Sequence, residues 1–198
     1  MFSLKVHFFG YFYYNPLAGG WGNIPGHTDL DGTNWLAYQY AEKFTNPGTS
    51  EVRRIEMPIF TAADESGTGT MVLKVYADDN GTVAGAPGTL LASDTINIAD
   101  INGGSWNEFD FTNPPSVTGT FFVGYELFYG SPQDTILVGM TATIAGGNDA
   151  FWFDLEGNGW TDAGLFGVGG SIAIDVMLSN GPDPVADFVV TDASVCVG

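Results

Sequence analysis

The sequence predicts an all-β fold, an antiparallel β-sandwich of jelly-roll-like type with about eight to ten strands. Three observations predict it. Apolar residues recur at every second position in many short segments, and Gly, Asn, Asp and Pro separate these segments. No segment has the long apolar periodicity of an amphipathic helix. With 198 residues, of which 44% are hydrophobic, the chain is long enough for one sandwich core without disulfides.

The strands are expected in order along the chain, each bounded by turn residues. The Asp78-Asp79-Asn80-Gly81 segment predicts a turn, because Asx side chains bond nearby backbone groups and Asn-Gly accepts positive φ. Two strand tryptophans, Trp106 and Trp152, are expected in the core. The predicted strands are 3–14, 36–44, 51–60, 70–77, 90–98, 106–111, 120–129, 135–144, 150–155 and 171–178.

The alternation predicts one domain, a linker and the start of another module. Residues 1–179 form the sandwich. Residues 180–184 contain a Gly and two Pro, which cannot hold a strand ladder, so they are a linker. Residues 185–198 begin a new apolar alternation that ends before a domain could form. The first fifteen residues lack a signal-peptide profile, so export signals are expected outside this chain.

The charge balance narrows the classes of partner. There are 23 acidic residues against five basic ones, which gives a net charge of −18. Such a chain repels phosphate backbones, so nucleic acid is excluded as a partner. Its apolar stretches are broken by Gly or polar residues, which excludes membrane insertion. The acidity is typical of an extracellular protein, although solubility alone also explains it.

The sequence predicts no catalytic site, and hence that the chain is not an enzyme. It has two histidines, His7 and His27, and one cysteine, Cys196. No Gly-x-Ser-x-Gly segment surrounds a serine, and no HExxH or CxxC motif offers a zinc site. With so many carboxylates, a chance pair cannot argue for glycoside hydrolysis. A hydrolase built from scattered carboxylates stays open as a third class of function.

Calcium is the one ion that the sequence suggests, as a possible cofactor. Calcium takes six to eight oxygen ligands, and three loops offer carboxylates and amides at close spacing. The same residues also make ordinary Asx turns, so both interpretations stay open. The candidate ligands are Asp29, Asp31, Asn34, Asp78, Asp79 and Asp154, with Asp29 and Asp31 as the first choice because two carboxylates two positions apart can face one ion.

Aromatic residues in loops are the candidate ligand contacts. Trp21, Trp35 and Trp160 lie in Gly-rich loops or turns. Exposed Trp rings stack on sugar rings in carbohydrate-binding sandwiches, but a loop Trp also serves as a lid on the core. The prediction is a carbohydrate or protein contact at these three residues.

Several strand-and-turn segments together resemble a known domain. The resemblance covers about residues 32–179, with a tail at 184–198, and its motifs are structural rather than site motifs. It is to a β-sandwich domain of large secreted proteins of Bacteroidota, exported by the type IX secretion system, followed by the start of a PKD-type module. The matching segments are Gly32-Thr33-Asn34, Ala41-Glu42-Lys43-Phe44, 72–76, Ala86-Pro87-Gly88-Thr89-Leu90-Leu91-Ala92-Ser93, Glu108-Phe109-Asp110-Phe111, Gly119-Thr120-Phe121-Phe122-Val123-Gly124-Tyr125-Glu126-Leu127, Asp134-Thr135, Pro184-Val185-Ala186-Asp187-Phe188 and Ser194-Val195-Cys196-Val197-Gly198.

The resemblance implies an extracellular or cell-surface location and neighbouring modules in a larger parent protein. It supplies no catalytic residues. The expected function is a non-catalytic accessory or adhesion module that binds a carbohydrate or a surface protein. The alternative is a structural subunit of an extracellular fibre, in which an N- or C-terminal strand completes the sheet of a neighbouring copy.

Overall fold

The chain forms an almost entirely antiparallel β structure, which confirms the predicted fold class. The computed structural model describes residues 2–4, 37–131, 133–140, 150–155, 159–166 and 170–179. Within these ranges there is no α-helix, and no helix is long and apolar enough to cross a membrane. The strands are β1 (Phe2–Leu4), β2 (Ala37–Ala63), β3 (Thr70–Ala77), β4 (Leu90–Asn97), β5 (Ser105–Asp110), β6 (Ser116–Phe128), β7 (Thr135–Val138), β8 (Phe151–Leu155), β9 (Trp160–Asp162) and β10 (Asp175–Ser179), with short 3-10 helices at Ile98–Asp100 and Ala163–Phe166.

Strand β2 is a single strand of 27 residues where the sequence predicted two. The predicted gap at residues 45–50 contains a β-bulge, seen as a register shift between Asn46 and Thr49 against β6. The Asn46 side chain accepts a hydrogen bond from the Gly48 amide and donates one to the Val117 carbonyl. A bulge bends and twists a strand without ending its pairing. The prediction of separate strands at 36–44 and 51–60 was therefore wrong.

The bulge allows β2 to take part in two layers. The strands that pair around the N-terminal half of β2 are named the first layer. Their order is β4-β3-β6-β2-β8-β9. The second layer surrounds its C-terminal half, with β5 on one side and β10 and β7 on the other, and β1 beyond β10. The two layers are thus one continuous hydrogen-bonded sheet.

The main core lies between the two layers, and every second residue of the strands points into it. Alternate side chains of β3 and β6 meet those of β2, β5 and β10 there. Full burial of each such side chain stabilises the fold by roughly 1.5–3 kcal/mol. The largest contributors, all at most 4% exposed, are Tyr40, Val52, Ile55, Met57, Ile59, Met71, Leu73, Val75, Phe121, Val123, Tyr125, Leu127 and Phe151.

A second, smaller cluster covers part of the outer face of the first layer. It contains Tyr76, Phe122 and Trp152, with Ala41 beneath them and Ala86 from the loop between β3 and β4 above. Trp152 is 7% exposed, so its expected burial is confirmed. The loop therefore shields one end of this face, and the strand positions beyond it remain available to solvent.

Most predicted strands are confirmed within a few residues, and β3 agrees at both ends. The short strand β9 was not predicted, because three residues carry too little periodicity. Strand β1 pairs with β10, which brings the start of the chain to the end of the predicted sandwich. Residues 180–198 lie outside the described part of the chain, so the linker and the truncated module stay predictions.

Gly124 of β6 lies opposite Ala41 of the paired strand β2, and this position requires glycine. A Cβ atom at this position would lie 1.8 Å from the Tyr40 carbonyl oxygen and 2.7 Å from the Ala41 Cα atom. Both are backbone atoms of the paired strand and cannot rotate away. Only glycine permits this approach.

We expect Gly124→Ala to lower the free energy of unfolding by about 3 kcal/mol, because the added methyl group must push β6 away from β2. Gly81→Ala is the matched control, since a Cβ atom there meets nothing within 4 Å. Urea unfolding of both variants measures the difference. Equal stability of the two would contradict the close approach at Gly124.

Candidate functional site

The predicted site residues divide into those that the structure describes and those that it does not. Trp160, Asp78, Asp79 and Asp154 lie in described segments. Trp21, Trp35, Asp29, Asp31 and Asn34 lie outside the described residues, and so do His7, His27 and Cys196. The expectations that rest on these residues, including the absence of catalysis, stay predictions.

Trp160 lies at the edge of the first layer, on its outer face. Its ring is half-buried and meets the Tyr76 ring edge-on, with centroids 5.4 Å apart. The strand register places Trp160 beside Asp154, and Asp154 beside Gln39. Much of the surface of the indole is covered by its neighbours, and the rest faces solvent.

A cluster of polar side chains lies on the same face of the first layer as Trp160. The Lys74 ammonium forms an ion pair with Glu126 and donates a hydrogen bond of 3.1 Å to the Gln39 side-chain oxygen. The Tyr76 hydroxyl donates to the same oxygen at 2.8 Å. Burial, and then the negative charges of Glu126 and Asp154, raise the pKa of Tyr76, so the phenol remains a donor. These side chains hold one another in a fixed arrangement.

The acidic loop at Asp78-Asp79-Asn80-Gly81, one of the calcium candidates, uses its side chains to hold its own backbone. Both Asp79 carboxylate oxygens accept hydrogen bonds from Thr89, at 2.6 Å from its amide and 2.7 Å from its hydroxyl. These two bonds, the amide one first, lower the pKa of Asp79. Asn80 bonds Thr82, Val83 and Pro87 in the same turn. The turn predicted at Asp78-Asp79-Asn80-Gly81 is therefore stabilised by its own side chains.

Asp154 likewise has a structural partner. It is 8% exposed and accepts a hydrogen bond of 2.9 Å from the Gly159 amide, which precedes β9. In the described part of the chain, no three His, Cys, Asp or Glu side chains come close enough to hold a metal ion. Calcium binding at Asp29, Asp31 and Asn34 stays a prediction.

Asp134 is a buried carboxylate that sequence reasoning did not single out. Its two oxygens accept five hydrogen bonds, from the amides of Ser66, Gly130 and Ser131 and from the Ser66 and Ser131 hydroxyls, at 2.7–3.1 Å. Burial by itself raises the pKa of Asp134, but the Ser66 side chain and these amides outweigh burial and lower it well below its usual range. An acid that stays ionised cannot donate a proton near neutral pH. Asp134 therefore clips two loops together.

Trp106 was expected in the core, and this prediction was wrong. Its side chain is 53% exposed on the outer face of the second layer. Along β5, Asn107 and Phe109 point inward and are buried, whereas Trp106, Glu108 and Asp110 point outward. The alternation along β5 did indicate an outward position for Trp106. Glu108 and Asp110 lie on the same side of the strand as Trp106, and charged side chains seldom face a core.

An ion-pair cluster continues the outer face that Trp106 begins. Arg54 of β2 makes a bidentate contact with Asp110, with Nε–Oδ1 at 2.7 Å and Nη2–Oδ2 at 3.0 Å. The same guanidinium also contacts Glu108. The hydrogen bond with Asp110 raises the pKa of Arg54 and lowers that of Asp110, so both stay charged. This face joins an exposed indole to charged groups with fixed positions.

Comparison with known proteins shows the fold alone. No protein-family model and no curated protein matches the chain. Among solved structures, it is similar to the crystal structure of the cysteine protease and lectin-like domains of Cwp84, a surface layer associated protein of Clostridium difficile. The identity is 12% and the TM-score 0.52, over 73% of this chain and 32% of that one. The chain therefore spans about a third of that protein's length.

We expect Asp134→Asn to lower the thermal midpoint by roughly 5–10 °C at pH 7, because an amide accepts on one side only and leaves buried donors unpaired. A lowered folded-state pKa contributes stability that is present above the unfolded value of about 3.9 and is lost as the pH falls below it. The gap between wild type and variant should therefore narrow from pH 5 towards about pH 2. Melting curves over this range measure the gap, and a gap independent of pH would contradict the ionised state.

Proposed function

We propose that this chain is a non-catalytic extracellular accessory or adhesion module of a larger secreted or surface protein, and that it binds a polysaccharide. The observation that carries the proposal is the division between a closed apolar interior and outer faces where aromatic rings lie beside fixed polar groups. Sugar rings offer apolar C–H faces and hydroxyl rims, and such a surface suits both.

The comparisons and the charge support the extracellular part of the proposal. The fold is similar to a structure that contains a lectin-like domain of a surface layer associated protein. The net charge of −18 suits a soluble protein outside the cell and opposes anionic partners. The resemblance to secreted Bacteroidota proteins adds the type IX route, a following PKD-type module and neighbouring modules of the parent as parts of the same proposal.

Affinity electrophoresis of the whole chain tests the proposal. We expect slower migration in gels that contain at least one of laminarin, xylan, mannan or amylose, and no change with alginate, an anionic polysaccharide. Reducing-end assays on the same mixtures should detect no new ends, since an accessory module binds without cleaving. Failure to bind any of the neutral polymers contradicts the binding proposal, and release of reducing ends contradicts its non-catalytic part.

A second candidate is a fibre subunit joined by strand complementation, and one observation favours it. Among the described strands, β4 pairs with β3 alone, so its other edge is open to an incoming strand. Leu90 and Leu91 at its start are 47% and 40% exposed. An exposed apolar edge strand is a template for pairing with another chain.

Light scattering after size exclusion separates the two candidates. A fibre subunit forms polymers, and either deletion of 185–198 or Leu91→Lys should return it to monomers, because a charge on an edge strand opposes pairing. Ser93→Lys on the same strand is a second disruptive variant that spares the two leucines. A concentrated solution that contains monomer alone excludes the fibre candidate.

A further inference from the structure

We propose that the polysaccharide contacts the outer face of the second layer, centred on Trp106, and that the ligand is a neutral chain. This inference rests on the proposed binding function and assigns its location and ligand class. Three features of this face carry the inference: the exposure of Trp106, the spacing of the polar groups beside it, and its charge.

Among the exposed aromatic side chains in the described ranges, Trp106 has the largest exposed fraction. It is 53% exposed, against 50% for Phe128 and 44% for Phe60, whereas Trp160 is half-buried against Tyr76. Leaving an indole in water forfeits the free energy that its burial would supply. A ring held there on a regular strand, whose neighbours Asn107 and Phe109 are anchored in the interior, is available to a ligand.

Trp106 packs beside apolar residues of β2 and of the segment after β7. Pro58 of β2 is its cross-strand partner, so the two side chains share one face. On the far side of Pro58, the Gly139 amide donates a hydrogen bond of 2.8 Å to the Pro58 carbonyl. A Cβ atom at Gly139 would lie 2.6 Å from the Pro58 ring and 3.3 Å from the Phe60 ring. Pro58 and Gly139 are both buried, so they lie beneath the surface, and Phe60, which is 44% exposed, is the other exposed aromatic side chain on this side of β2.

Polar groups continue from the indole at a spacing that suits a sugar chain. Strand residues two positions apart are about 6.6 Å from each other, so Trp106, Glu108 and Asp110 extend over about 13 Å on one face. That length can accommodate more than one linked sugar ring. Arg54 holds both carboxylates through its guanidinium, so acceptors and donors for hydroxyl groups are fixed before binding.

The acidic charge of this face and its small exposed apolar area favour a neutral polysaccharide over an anionic polymer or a protein partner. Glu56 is the cross-strand neighbour of both Glu108 and Asp175, so three acidic residues form a row across β5, β2 and β10. This row repels anionic polymers. A stable protein partner needs about 800 Å² on each side with a well-packed apolar centre. In the described part of this face, Trp106 and Phe60 are the large exposed hydrophobic residues, too few for such a centre.

The experiment compares Trp106→Ala with two other aromatic variants in the same affinity gels. Phe128→Ala is the matched control, since Phe128 is similarly exposed and lies on β6 of the first layer. Trp160→Ala tests the competing face. Thermal melting of each variant confirms that it is folded, and a second variant, Trp106→Phe, retains a smaller ring in case the alanine variant is unstable.

We expect Trp106→Ala to weaken binding of the best neutral polysaccharide by about tenfold or more, because the loss of one stacked ring is worth about 1.4 kcal/mol. Trp106→Phe should retain part of the affinity, and Phe128→Ala should retain all of it. The wild-type affinity should change by less than about twofold between 50 and 500 mM NaCl, since the ligand carries no charge.

Four results would overturn the inference. If wild type binds a neutral polysaccharide and Trp106→Ala binds it equally well, the location is wrong while the proposed function stands. Loss of binding in Trp160→Ala alone assigns the ligand to the first layer. A steep loss of affinity with salt, or preference for alginate, contradicts the ligand class. If wild type binds no polysaccharide, the proposed function fails and the inference fails with it.

Discussion

The structure depends on one strand that belongs to both layers. Strand β2 pairs with β8 before the bulge at Asn46, with β6 on both sides of it, and with β5, β10 and β7 after it. A β-bulge adds the twist that lets one strand leave one layer and enter the next. Because the backbone hydrogen bonds continue through the bend, the layers need no disulfide to hold their relative positions. The core residues Tyr40 and Ile55 lie on opposite sides of that bend and belong to the same apolar cluster.

The polar side chains of the described loops serve mainly as hydrogen-bonding partners for the backbone. Asp134, Asp79 and Asn107 each satisfy amides or carbonyls that no strand partner reaches. A buried backbone amide without a partner is costly, and an ionised carboxylate can accept several amides at once. This explains why an acidic, Gly-rich sequence forms ordered turns, and why carboxylates at close spacing need not indicate a metal.

The outer faces differ, and this difference bears on function. The first layer carries a closed network around Tyr76, Lys74 and Gln39, in which most hydrogen-bonding groups are already used. The second layer leaves Trp106 exposed beside the Arg54 cluster. A ring whose neighbours on the strand are anchored in the interior loses little entropy when a ligand covers it. Rigid aromatic groups beside fixed polar groups are the physical basis of recognition on an open surface.

The sequence by itself determined the fold class, the limits of β3 and the turn at Asp79-Asn80, because alternation and Asx chemistry act over a few neighbouring residues. It did not determine that 37–63 is one strand, since Asn-Pro-Gly is compatible with both a turn and a bulge until β6 is paired against it. It also misplaced Trp106, because the residue was assigned by its hydrophobicity, although the charged Glu108 and Asp110 on the same side of β5 indicated an outward position. Only the tertiary structure decided that β2 belongs to both layers, since that depends on which strands pair with each of its halves.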